Sequence, residues 1–113
     1  MKNKAEKIIR IRQLNDELRT GKCLNGQIVI TSGIAALGDA FKMEVAKAVS
    51  EFEAFTLDND PHQEHDFGSI EVQGHKVFFK IDYYDLDLEM HSPDASDPSV
   101  TARVLTIMLA EEY

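Results

Sequence analysis

The chain has no tryptophan, three prolines and a single cysteine in 113 residues. One cysteine, Cys23, excludes an intramolecular disulfide, so the fold must rest on its apolar core, and a reducing, cytoplasmic setting is expected. No apolar run approaches the roughly 20 residues that span a bilayer. The opening Met1-Lys2-Asn3-Lys4 lacks the apolar stretch of a secretory signal. A soluble protein without a membrane partner is expected. Positive charge is scarce where negative charge is dense. Residues 48–102 carry thirteen acids against Lys76 and Lys80 alone, and the whole chain is −8. Residues 1–22 reverse the balance, with seven basic side chains and three acids. An acidic surface of this extent repels nucleic acid and attracts a basic protein surface or a cation.

The apolar fraction, 43%, suffices for the core of one domain spanning residues 1–113. Ile8, Ile11, Leu14 or Asn15, and Leu18 recur every three to four residues and predict a helix over 4–19, stopped at Thr20-Gly21. Gln27 to Thr31 is β-branched between glycines and reads as a strand. Ile34, Leu37, Phe41, Val45, Ala48 and Phe52 form the longest helical stripe, and its main segment is placed at 39–54 with Asp39 as cap. Residues 56–68 are a polar loop broken by Asn59-Asp60-Pro61. Ile70 and Val72, then Val77, Phe79, Ile81 and Tyr83, alternate with polar residues about Gln73-Gly74 and predict a hairpin with one buried face. Residues 85–97 read as irregular, with a short edge strand near Leu86–Met90. A last helix is predicted from Pro98 to the C-terminus, capped by Asp97 and faced by Val100, Val104, Ile107 and Met108. The fold class is α+β, a small, mostly antiparallel sheet packed with helices in the order α-β-α-β-β-(β)-α.

Two segments concentrate chemistry. Loop 58–66 packs Asp58, Asp60, His62, Glu64, His65 and Asp66 into nine residues with no lysine or arginine. Oxygen and imidazole donors so close would hold a divalent metal, with Asp58, Asp60, His62, His65 and Asp66 as ligands. The spacing matches no established cage. An EF-hand beginning at Asp58 needs glycine where Gln63 stands and glutamate where Ser69 stands. Zinc would need softer ligands, and only Cys23, His75 and His91 remain. The plainer reading makes Asp58, Asn59 and Asp60 turn formers, with His65 and Asp66 capping loop amides. Asp66-Phe67-Gly68 matches the kinase metal-binding tripeptide by letters, but the glycine-rich and catalytic loops of a kinase are missing. The second segment, Phe79 to Asp85, places Lys80, Asp82 and Tyr84 on one strand face beside Asp85 and Asp87, a surface suited to protein recognition. No catalytic set is complete: Cys23 follows Lys22 near a helix end with no histidine close in sequence, and Gly33 and Gly38 form no phosphate loop.

Several strings resemble one small bacterial family. They are Arg12-Gln13-Leu14-Asn15-Asp16 with Arg19-Thr20-Gly21, and Ile30-Thr31 with Gly33-Ile34. Asp58-Asn59-Asp60-Pro61 with Glu64-His65-Asp66-Phe67-Gly68 and Lys80 to Asp85 follow, and Thr101 to Ala110 completes the match. The family is domain of unknown function 3768, and the resemblance covers about residues 10–113. It implies a small bacterial protein often carried on plasmids, phages and other mobile elements, with no activity attached. The leading expectation is a non-enzymatic, cofactor-free binding protein. It would set Asp58, Asp60, Glu64, Asp66, Asp82, Tyr84, Asp85 and Asp87 against the basic surface of a host protein, such as a CRISPR or restriction effector. The alternatives are a metal-binding module or metal-dependent enzyme on loop 58–66, and a structural or regulatory homodimer.

Overall fold

A computed structural model describes residues 3–22 and 26–113. Helix α1, Lys4–Arg19, starts where the Asn3 side chain accepts the Glu6 N–H at 2.8 Å. It ends at Thr20 and at Gly21, whose positive φ of 77° lets the chain turn away. Its buried stripe is Ile11, Leu14, Asn15, Leu18 and Arg19. Two polar residues on that face already point to partners inside the fold. Strand β1, Gly26–Ile30, leads into a single turn, α2, Ser32–Ala35, and then α3, Asp39–Glu51. The predicted stripe is broken here. Gly38, at φ 100°, breaks the chain between the two helices and takes the cap position expected for Asp39. Leu37 is left exposed, and α3 buries Phe41, Val45 and Val49 at strict four-residue spacing.

The hairpin forms as expected, with β2, Phe67–Val72, and β3, His75–Tyr84, joined through Gln73-Gly74. The chain end departs from expectation. Residues Ala102–Leu109 are a strand, β4, where a helix was predicted, and only Ala110–Glu112 form a 3-10 turn. Asp97 does cap, as a turn: its carboxylate accepts the Ser99 N–H and hydroxyl at 2.9 and 2.7 Å. β4 lies inside the sheet, between β1 in parallel and β3 antiparallel, giving the order β1-β4-β3-β2. A central strand can be apolar on both faces, which hides the two-residue period behind spacings that read as helical. Residues 86–90 are not a strand. They form a closed turn, and Tyr84↔His91 is a single isolated bridge.

Alternation sorts the sheet into two faces. Val77, Phe79, Ile81 and Tyr83 of β3 sit beside Leu109, Ile107, Leu105 and Arg103 of β4. All eight are buried, and with Ile34 and the apolar residues of α1 and α3 they make the core. The opposite face carries Phe78, Lys80, Asp82 and Tyr84 with Val104, Thr106 and Met108, most of them half-buried. Phe67, Phe78 and Tyr113 cluster there with centroids 5.2 to 6.2 Å apart. The α+β class and the mostly antiparallel sheet therefore hold, with a strand replacing the last helix. Among the described residues, no helix is long and apolar enough to cross a membrane.

Candidate functional site

Loop 56–66 is fastened to α1 by side chains spaced along the helix. Arg12 Nε donates to the Gln63 carbonyl at 2.7 Å, and Asn15 Nδ2 donates to the Glu64 carbonyl at 3.0 Å. Asn15 also donates to the Tyr83 hydroxyl at 2.7 Å and accepts from Arg103 Nε at 2.8 Å. Tyr83 passes the chain on by donating to Glu64 Oε1 at 2.9 Å, and burial raises its hydroxyl pKa, keeping it protonated. Arg103 lies over the Tyr83 ring and donates to the Ala95 carbonyl. Arg19 caps α3 by donating to the Val49, Ser50 and Phe52 carbonyls and pairs with Asp16 at 3.0 Å. Its guanidinium rests over the Phe55 and Phe79 rings.

His65 closes the loop. Its φ is 57°, its ring stacks on Phe55 at 3.8 Å, and its Nδ1 lies 3.0 Å from Asp16. The Asp60 carboxylate, only 3% exposed, accepts the His65 backbone N–H at 3.2 Å. Asn59 ties to Thr56 and Ala54 as an Asx-type turn former. Two of the loop's expected surface acids, Asp60 and Glu64, are thus turned to internal partners, while Asp58 and His62 face solvent. Of the five side chains of the metal reading, His65 Nε2 and Asp60 Oδ2 approach to 3.8 Å, while Asp58 and His62 stand apart in solvent. Among the described residues, no group of three or more His, Cys, Asp or Glu is placed to hold a metal ion. Cys23 lies outside the described residues.

The acids that do share a surface lie at the end of the hairpin. β2 begins at Phe67, opposite Lys80, so Ile81–Tyr84 of β3 run on past it. The Asp66 carbonyl follows, accepting the Ile81 N–H at 2.8 Å, and beyond it the Tyr83 carbonyl accepts the Ser92 N–H at 3.0 Å. A cleft of about 330 Å³ opens there, lined by Asp66, Asp82, Tyr84, Glu89, Met90 and His91 with parts of Ile81 and Tyr83. Burial, and then the neighbouring Glu64, push the Asp66 carboxyl above its ordinary range. Asp82 pairs with Lys80 at 2.9 Å, and this hydrogen bond raises the Lys80 ammonium above its ordinary value. Asp85 and Asp87 follow in the turn that walls the cleft. The turn is closed by Asp85 N–H to the Met90 carbonyl at 2.8 Å, Leu88 N–H to the Asp85 carbonyl at 3.0 Å, and Glu89 N–H to Asp85 Oδ1 at 3.0 Å.

Two of the expected binding residues, Asp82 and Tyr84, therefore line the cleft with Asp66; Asp85 and Asp87 follow in the turn beside it, and Asp58, Asp60 and Glu64 are not in its lining. Glu89 and His91 line the same cleft without having been picked out from the sequence, although Glu89 continues the acid alternation of Asp85 and Asp87. Asn15, Tyr83 and Arg103 were also missed as a unit, because no linear spacing joins positions 15, 83 and 103.

These features define a small two-layer α+β domain with an internal polar clamp and an acidic cleft at one end of its sheet. The family model described as protein of unknown function, DUF3768, matches residues 30–112, and the chain belongs to that family. No curated protein and no solved structure matches the chain.

Proposed function

We infer that this protein is an acidic protein-recognition module, acting by binding and not by catalysis, whose surface is the cleft and turn at residues 82–91 together with Asp66. The observation that carries the reading is the sorting of the acids. Asp60 and Glu64 of loop 56–66 are turned to internal partners, whereas Asp66, Asp82 and Glu89 line one opening, Asp85 and Asp87 follow in the turn beside it, and Lys80 there is already paired with Asp82. Such a surface steers a basic partner and fixes its orientation more than it supplies raw affinity. A protein whose basic face serves nucleic acid fits this chemistry, and host defence effectors of the CRISPR or restriction type are among them.

The test is a tagged pull-down from bacterial lysates at low and high salt. It compares the native chain with a variant carrying Asp82→Asn, Asp85→Asn, Asp87→Asn and Glu89→Gln. A nucleic-acid-handling protein retained at low salt by the native chain and lost by the variant is the expected result. Retention by both forms at both salt concentrations would sink the reading.

A further inference from the structure

The turn that walls the cleft alternates acids with large apolar residues: Asp85-Leu86-Asp87-Leu88-Glu89-Met90. Leu86, Leu88 and Met90 are 64%, 46% and 71% exposed. Single exposed apolar residues are ordinary on a surface, but here three fall within five residues of one closed turn. The backbone adds a separate observation. Leu88 sits at φ 59°, in the left-handed region that costs a residue with a Cβ about 1–2 kcal/mol. The turn's own hydrogen bonds, Leu88 N–H to the Asp85 carbonyl and Glu89 N–H to Asp85 Oδ1, hold this backbone in place, as turns also do at Gln63 and Gln73, and the Leu88 side chain is left facing solvent.

We propose that Leu86, Leu88 and Met90 are an apolar anchor that packs against the apolar face of an amphipathic helix of a partner protein, while Asp82, Asp85, Asp87 and Glu89 meet arginines and lysines flanking that face. This rests on the acidic-recognition reading and adds to it a source of affinity. Apolar anchors at the centre of an interface carry most of its binding energy, and rim charges mainly govern encounter. The charge complement selects the occupant. A second copy of this chain would bring like charges onto the rim, whereas an apolar helix face bordered by arginines and lysines answers Asp85, Asp87 and Glu89 together.

The probe is a synthetic amphipathic helical peptide with one leucine face flanked by arginines, beside a control peptide with each leucine replaced by serine. Binding is measured by fluorescence anisotropy at low salt and mapped by backbone amide chemical shifts. Shifts centred on residues 82–91 are expected, with the leucine peptide bound about tenfold or more tighter than the control. The triple variant Leu86→Ser, Leu88→Gly, Met90→Ser should lose a similar factor while keeping its thermal midpoint, because the three side chains are exposed and glycine relieves the backbone at 88. Equal binding of both peptides, unchanged binding by the triple variant, shifts mapping elsewhere, or no binding up to millimolar peptide would each overturn the anchor. Loss of binding only on neutralising Asp82, Asp85, Asp87 and Glu89 would overturn the anchor and leave the acidic reading standing. Indifference to that neutralisation would overturn the acidic reading itself.

Discussion

Asn15 is fully buried and serves three partners at once, accepting from Arg103 and donating to Tyr83 and to the Glu64 carbonyl. Replacing it with leucine strands a buried guanidinium N–H and a part-buried carbonyl, and an unmet buried polar group costs about 1–3 kcal/mol, more when charged. Asn15→Leu should therefore lower the unfolding free energy by roughly 3 kcal/mol in urea titration. Asp58→Asn, at an exposed turn, should stay within about 0.5 kcal/mol. A loss at Asn15 no larger than that at Asp58 would show that the clamp does not hold the loop. Asp66 makes a prediction of opposite sign. Burial and Glu64 raise its carboxyl above the ordinary 3.8, so ionising it costs more in the folded chain than in the unfolded one. Its contribution to stability is fully present below pH 3.8 and is lost as pH rises through the raised value. Asp66→Asn should thus raise the thermal midpoint at pH 7, and the gain should shrink as the pH falls towards 3.8. A lower midpoint at pH 7 would mean that the ionised carboxylate is itself stabilising.

At the scale of elements, two contacts fix how strands meet their neighbours. A Cβ on Gly68 would lie 2.2 Å from the buried Phe79 ring, which has no room to retreat. Gly68→Ala should cost about 1–3 kcal/mol by overpacking, read as a lower urea midpoint with an unchanged slope. At the chain end, the Glu112 carboxylate accepts from the Thr31 hydroxyl at 2.7 Å, the Leu109 N–H at 2.9 Å and the Gly33 N–H at 3.1 Å, joining the 3-10 turn to the start of α2. The Thr31 hydroxyl first, and then the amides, hold this carboxyl below its ordinary 4.5. The stability it contributes is present above pH 4.5 and is lost as pH falls through the lowered value, so Glu112→Gln should flatten that acid limb in a pH series of melts. The hairpin could be read from the chain because one buried face leaves clean alternation and Gly74 marks its turn. Helix α3 could be read because Phe41 and Val45 keep helical spacing, although its last buried residue is Val49 where Ala48 was expected. β4 could not. Met108 is buried on one face while Leu105, Ile107 and Leu109 are buried on the other, and Arg103, a surface residue by type, is interior. At the site, the acids drew notice by charge. Leu86, Leu88 and Met90 merged into the two-residue period of a weak strand, and only their exposure separates an anchor from a strand face.

Across the whole molecule, helices cover one face of the sheet and the acidic turn stands at the open end of its hairpin. Three of the seven basic side chains of residues 1–22 are spent away from that turn. Arg12 and Arg19 are spent on the Gln63 carbonyl and on the end of α3, and Lys7 pairs with Asp94 at 3.6 Å. The molecule is therefore polar in the electrostatic sense, with a net −8 weighted towards residues 48–102. A field of this kind acts before contact. It raises the encounter rate with a basic partner and leaves the escape rate to short-range packing. Changing Asp82, Asp85, Asp87 and Glu89 to their amides takes the net charge from −8 to −4 without altering side-chain shape. The association rate constant with a captured basic partner should fall by about tenfold or more at low ionic strength, with the dissociation rate little changed. The difference should close as salt is raised towards 1 M, where the screening length drops to about 3 Å. The serine and glycine changes at Leu86, Leu88 and Met90 should do the reverse, leaving association nearly intact and speeding dissociation. Stopped-flow binding of both variants across a salt series separates the two effects. If the amide variant lost affinity through dissociation alone, the acids would be contact residues and not a steering field.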